Sequence, residues 1–211
     1  MPSVTWKDGD YNYLAIGNSI TLHQKNDYWW NECGMAATRL ENDYVHQLSA
    51  LLEKEKKEKV VPFAYNFSIW EVQSADRAET LPLLDGILSD KLNLVTIQLS
   101  ENASDLTTFE SDYEELIRYV QNGAPNARVI VVGDFWDKSE KDSMKKEACE
   151  KCSVSFVSLD EIKGKEKYQC CLGTTVYDEE GNPHTVEHEG VAKHPGDEGM
   201  KWIAEKILTD L

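Results

Sequence analysis

The chain has 211 residues, 41% of them hydrophobic, which is the size of one domain with enough apolar side chains to fill a core. No stretch approaches the ~18 apolar residues of a membrane span, and residues 1–8 lack the basic-then-apolar order of a secretory signal. A net charge of −16 repels phosphate backbones and anionic lipids, so neither nucleic acid nor a membrane is an expected partner.

The charges are spread along the chain, which reads as solubility and not as disorder. No internal repeat, low-complexity tract or linker interrupts it, so residues 1–211 read as a single domain. Apolar strands alternate with amphipathic helices. Residues 13–16 form a short apolar run that ends in Gly17-Asn18-Ser19. Leu40, Tyr44, Leu48, Leu51 and Leu52 follow at helical spacing. Residues 60–65 are a second strand, and Pro62 suggests an edge position. Residues 92–99 are a third strand, after which Thr107-x-x-Glu110 has the form of a capping box. The helix it opens carries Phe109, Tyr113, Leu116, Ile117 and Val120 on one face. Residues 128–133 are a continuous apolar strand, of the kind buried on both faces. A charged helix over 139–151, a fifth strand over 153–159 and a last helix with Met200, Ile203, Ile207, Leu208 and Leu211 on one stripe complete the chain.

Five strands joined by helical crossovers imply a parallel sheet covered on both sides, a three-layer α/β/α sandwich. Ligands of such sheets collect at the C-terminal strand ends. Four segments stand out there. Strand one ends in Gly17-Asn18-Ser19-Ile20-Thr21, strand two in Asn66-Phe67-Ser68-Ile69-Trp70-Glu71, and strand three in Ser100-Glu101-Asn102. His194-Pro195-Gly196-Asp197-Glu198-Gly199 introduces the last helix. The first is not the nucleophile elbow of α/β-hydrolases, because position 21 is Thr where that motif needs Gly.

Taken together and in this order, the four segments resemble the sequence blocks of the SGNH hydrolases, the GDSL family of esterases and lipases. Gly17-Asn18-Ser19-Ile20-Thr21 is similar to the first block, with Asn18 where Asp is commoner. Asn66-x-Ser68-Ile69 resembles the second, Ser100-Glu101-Asn102 the third, and His194-Pro195 with Gly199 the fifth. The resemblance implies a flavodoxin-like SGNH-hydrolase fold, no cofactor and no metal. It assigns Ser19 as nucleophile and His194 as general base. Its oxyanion donors would be the N–H groups of Ser19 and Glu71 and the Asn102 side chain.

Three departures accompany it. Glu71 and Ser100 stand where the family has glycine, and Val191 stands where the family carries the triad acid, three residues before the histidine. His194 would then be oriented by a backbone carbonyl near residue 191 or 192, the favoured arrangement because it needs no coincidence of side chains, or by a carboxylate, with Asp134, Glu189 and Glu101 as candidates.

Other features admit competing readings. His184-Thr185-Val186-Glu187-His188 has the H-x-x-E-H form of a zinc site, but only six residues separate Pro183 from Gly190, too few for the helix that chemistry needs. It reads as a polar loop or hairpin. Five cysteines, an odd number, argue against a disulfide framework and for a reducing, cytoplasmic setting, although removal of an export signal would leave the same sequence. Cys149-x-x-Cys152 closes its helix where a redox pair would open one. Residues 22–38 interrupt the passage from the Ser19 turn into its helix and would form a lid or specificity loop. Ser68, Trp70, Trp136 and Trp30 would line the pocket, where tryptophans suit a sugar ring. The expected function is a serine esterase acting on a small acyl ester, with an O-acylated carbohydrate favoured as the small-molecule partner. The alternative is a non-catalytic carbohydrate- or partner-binding domain on the same fold.

Overall fold

The computed structural model describes residues 2–136 and 139–211. Five strands, β1 (Tyr11–Gly17), β2 (Val60–Asn66), β3 (Leu94–Gln98), β4 (Arg128–Val132) and β5 (Ser155–Val157), form one sheet in the order β2-β1-β3-β4-β5. Every pairing is parallel. Pro62 does lie on an edge strand, where its missing N–H costs no ladder bond on the open side.

Alternation along β1 builds two cores. Leu14 and Ile16 point to the face covered by α4 (Phe109–Gly123) and α5 (Ser139–Cys152), while Tyr13 and Ala15 point to the face covered by α1 (Tyr44–Lys56) and α7 (Asp197–Thr209). The result is the three-layer α/β/α sandwich.

Local chemistry shifts some expected boundaries. Leu40 is exposed in a 3-10 turn, and α1 begins only after Asp43, whose carboxylate caps it by accepting the His46 N–H. The Thr107–Glu110 capping box does not form. Asp105 takes both the Thr107 N–H and its hydroxyl, so Thr108 becomes the N-cap of α4. Two short helices, α2 (Ser68–Val72) and α3 (Arg77–Thr80), follow β2 and were not apparent in the sequence.

The inserted segment 22–38 folds back on itself through bridges His23–Cys33 and Asn26–Trp29. Its Trp29, Cys33, Met35, Ala36 and Ala37 join Cys170, Val176, Val186 and Val191 in a third, smaller core. That core ties the segment to the hairpin of β6 (Thr175–Tyr177) and β7 (Pro183–Thr185), which precedes α6 (Glu189–Ala192). Gly34 is required at this junction, because a Cβ there would lie 2.5 Å from the Ile20 carbonyl oxygen. All five cysteines are free, and burial pushes the Cys149 thiol up to about 12, away from the range of a reactive thiolate. No described helix is long and apolar enough to cross a membrane.

Candidate active site

β1 delivers Ser19 into a tight turn. The N–H groups of Thr21 and Leu22 both donate to the Asn18 carbonyl, and the Asn18 side-chain oxygen accepts the Ile20 N–H. Gly17 permits the turn to close, since a Cβ there would sit 1.8 Å from Thr21 Oγ1, itself bonded to Tyr44 Oη. The Ser19 carbonyl accepts the Met35 N–H at 2.8 Å, which locks the turn to the insertion. Among the described residues nothing takes the Ser19 N–H.

His194 enters from the other end of the chain. Its Nε2 lies 2.8 Å from Ser19 Oγ, and its Nδ1 lies 2.7 Å from the Gly190 carbonyl oxygen. Gly190 lies in α6, where its carbonyl accepts the Lys193 N–H at 3.3 Å and has a second lone pair for the ring. That bond places the proton on Nδ1 and leaves Nε2 as the acceptor facing the serine hydroxyl. Burial pushes His194 down to about 4, more than the Gly190 carbonyl raises it, and His23 and His188 nearby act in the same direction as burial. At neutral pH the imidazole is uncharged and able to accept a proton.

The orienting group is of the backbone kind, a carbonyl one residue before Val191, and none of the three candidate carboxylates takes that place. Val191 is buried in the third core, and its carbonyl accepts the His194 N–H instead of the ring. Glu189 is exposed at the start of α6. Asp134 and Glu101 are drawn away from His194 into a buried polar network under the strand ends. Asp134 accepts from Lys145 Nζ at 2.7 Å and from the Ser100 hydroxyl. Glu101 accepts from Gln98 at 2.5 Å, from the Phe135 N–H at 3.1 Å and from Asn18 Nδ2 at 2.7 Å. Burial, reinforced by Asp134 and Glu71 and opposed by Lys145, pushes Glu101 up to about 8. Asp142, Lys141 and Lys163 extend the network through α5 and the loop after β5.

Two of the three departures from the family pattern, Glu71 and Ser100, meet at one point, together with Asn18. Glu71, fully buried in α2, accepts from Asn18 Nδ2 at 3.0 Å, the Ser100 N–H at 2.6 Å and Asn102 Nδ2 at 2.6 Å. An Asp at position 18 would face the Glu71 and Glu101 carboxylates together; Asn18 supplies the donor both need. Ser100 adopts φ +144°, a conformation that favours glycine and costs a non-glycine residue about 1–3 kcal/mol. Its hydroxyl is engaged by Asp134 and Lys145, and its N–H by Glu71, which together hold it there.

The aromatic residues divide. Trp70 is fully buried against Phe109 and Tyr113, with Arg77 over its ring, so it anchors α2 and lines no pocket. Trp136 stands edge-on to His194 with centroids 5.0 Å apart, and its Nε1 donates to the Lys193 carbonyl. Ser68 opens α2 half-buried, its N–H held by Asn66. Trp30 stacks on His184 and Tyr28 on His188, and with Asp27 and Glu187 these two aromatics and His188 line a cleft of about 230 Å³. The two histidines of the H-x-x-E-H segment therefore go to separate partners, His184 bonding Asp178 as well.

Solved structures place this architecture. A protein from Bacteroides ovatus described as a GDSL-like lipase matches with a TM-score of 0.57 at 16% identity, over 95% of this chain and 98% of that one. A two-domain esterase active on acetylated mannans, co-crystallised with mannopentaose, matches with a TM-score of 0.62 at 18% identity, over 95% of this chain and 49% of its own. An active-site mutant of a family two carbohydrate esterase from Clostridium thermocellum matches with a TM-score of 0.58 at 18% identity, over 97% and 64%. No protein-family model and no curated protein matches the sequence. The chain has the α/β/α fold of the SGNH hydrolases.

Proposed function

We propose that the chain is a serine esterase working through a Ser19–His194 dyad on small acyl esters, with an O-acylated carbohydrate as its preferred substrate. The observation that carries this reading is the Ser19 Oγ to His194 Nε2 contact of 2.8 Å, with the ring's other nitrogen on the Gly190 carbonyl. His194 Nε2 takes the hydroxyl proton as Oγ attacks the ester carbonyl. The oxyanion that forms is met by the N–H groups of Ser19 and Glu71 and by Asn102. The imidazolium then protonates the departing alcohol, and a water repeats the sequence to free the acid. A carbonyl at Nδ1 fixes the tautomer but lends the imidazolium less charge than a carboxylate would.

Support for a sugar comes from the cleft beside α6, where Tyr28 and Trp30 offer flat apolar faces and Asp27 and Glu187 offer acceptors for hydroxyl groups. Two of the structural neighbours are esterases of carbohydrates. Ser19→Ala tests the reading: hydrolysis of p-nitrophenyl acetate should fall by about three orders of magnitude or more with the fold retained. Wild-type activity in that variant would leave the dyad without a role.

A further inference from the structure

We propose that Glu71 is a positioning residue that fixes which way the Asn102 amide points, an inference that rests on the esterase reading. An asparagine amide has two ends of opposite character, and nothing in its shape decides between them. A carboxylate does decide, because it only accepts. Glu71 Oε2 lies 2.6 Å from the Asn102 amide, so the NH₂ end must face it, and the N–H not engaged by Glu71 is left for an oxyanion. Glu71 Oε1 meanwhile holds the Ser100 N–H at 2.6 Å and the Asn102 N–H at 3.4 Å, gripping the loop that carries the amide. A glycine at position 71 would supply the same backbone N–H but none of this hold.

The carboxylate is itself seated from both sides. Trp70 pins α2 to the core beneath it, and Asn18 Nδ2 donates to Glu71 Oε1 at 3.0 Å from the turn that presents Ser19. The nucleophile turn and the oxyanion loop are thus joined through one buried side chain. Its replacement by glutamine keeps the volume but turns one acceptor into a donor. Asn102 must then rotate its amide to offer Oδ1, which turns its N–H groups away from the reacting carbonyl.

A double-mutant cycle with a spectroscopic arm tests this. Glu71→Gln should lower kcat for p-nitrophenyl acetate about 10–100-fold with KM within about twofold, because the lost donor acts on transition-state charge. On an Asn102→Ala background the same change should alter kcat less than about threefold, since no amide remains to orient. The Asn102 side-chain ¹⁵N–¹H resonances, assigned by their absence in Asn102→Ala, should move upfield in Glu71→Gln as the short bond is lost. An equal loss on both backgrounds, or no loss on either, overturns the proposal, as does an unmoved amide resonance. If the wild type proves inactive while the resonance moves as described, the esterase reading falls and Glu71's hold on Asn102 stands.

Discussion

At the residue scale, His194 carries a sharp expectation about pH. Burial outweighs the Gly190 hydrogen bond and pushes the ring down to about 4, so the neutral base persists through mildly acidic solution. The acidic limb of kcat/KM for p-nitrophenyl acetate should therefore fall near pH 4, and a limb near 6.5 would mean that the ring is solvated and unperturbed. Stability carries the same signature: below 6.5 the unfolded chain binds a proton that the folded ring refuses, so the fold weakens on acidification from about 6.5 toward 4. Glu189→Gln should leave turnover within about threefold, because the orienting group is the Gly190 carbonyl; a drop near 10⁴-fold would make Glu189 a triad acid. The serine and asparagine were legible in the sequence as residue types at strand ends, and the histidine at the entrance to the last helix. A backbone carbonyl close to residue 191 was legible too, but not that it is Gly190's, since every residue has one and only the path of α6 brings this one to the ring.

At the element scale, α5 shows why hydrophobic pattern alone misplaces some polar groups. Its buried stripe runs Lys141, Asp142, Lys145, Ala148 and Cys149, the spacing of a core-facing helix with charges where apolar residues are usual. Read from composition, 139–151 is a charged helix with no reason to bury lysines. In the structure Lys145 reaches the Val132 carbonyl, Asp134 and the Ser100 hydroxyl. Burial alone would lower its pKa, but Asp134, Asp142 and Glu101 raise it and keep it charged. Lys145→Met should cost about 3–5 kcal/mol in urea unfolding, because it leaves Asp134 buried without its cation, while Asp142 keeps Lys163. A loss under 1 kcal/mol would mean that water reaches this network. The sheet strands were legible for the opposite reason: their period-2 and continuous apolar runs carry burial directly, as along β1 and β4.

At the scale of the whole molecule, two segments far apart in sequence converge beside the Ser19 turn that follows β1. Segment 22–38 and hairpin β6–β7 share the third core, and that core sets the position of α6 and through it of His194. The alternation of apolar strands with amphipathic helices suggested the sandwich; the partnership of insertion and hairpin had no signal, because Trp29, Cys33 and Val186 show no periodicity in either segment. On the proposed function, this convergence makes Ser19 a nucleophile. The most direct test is labelling with a serine-reactive fluorophosphonate, read by mass spectrometry of the peptide that carries Ser19. A covalent phosphonyl adduct on Ser19 is expected in the wild type, strongly slowed in His194→Ala and absent in Ser19→Ala. Failure of the wild type to label, or labelling that survives Ser19→Ala, would contradict it.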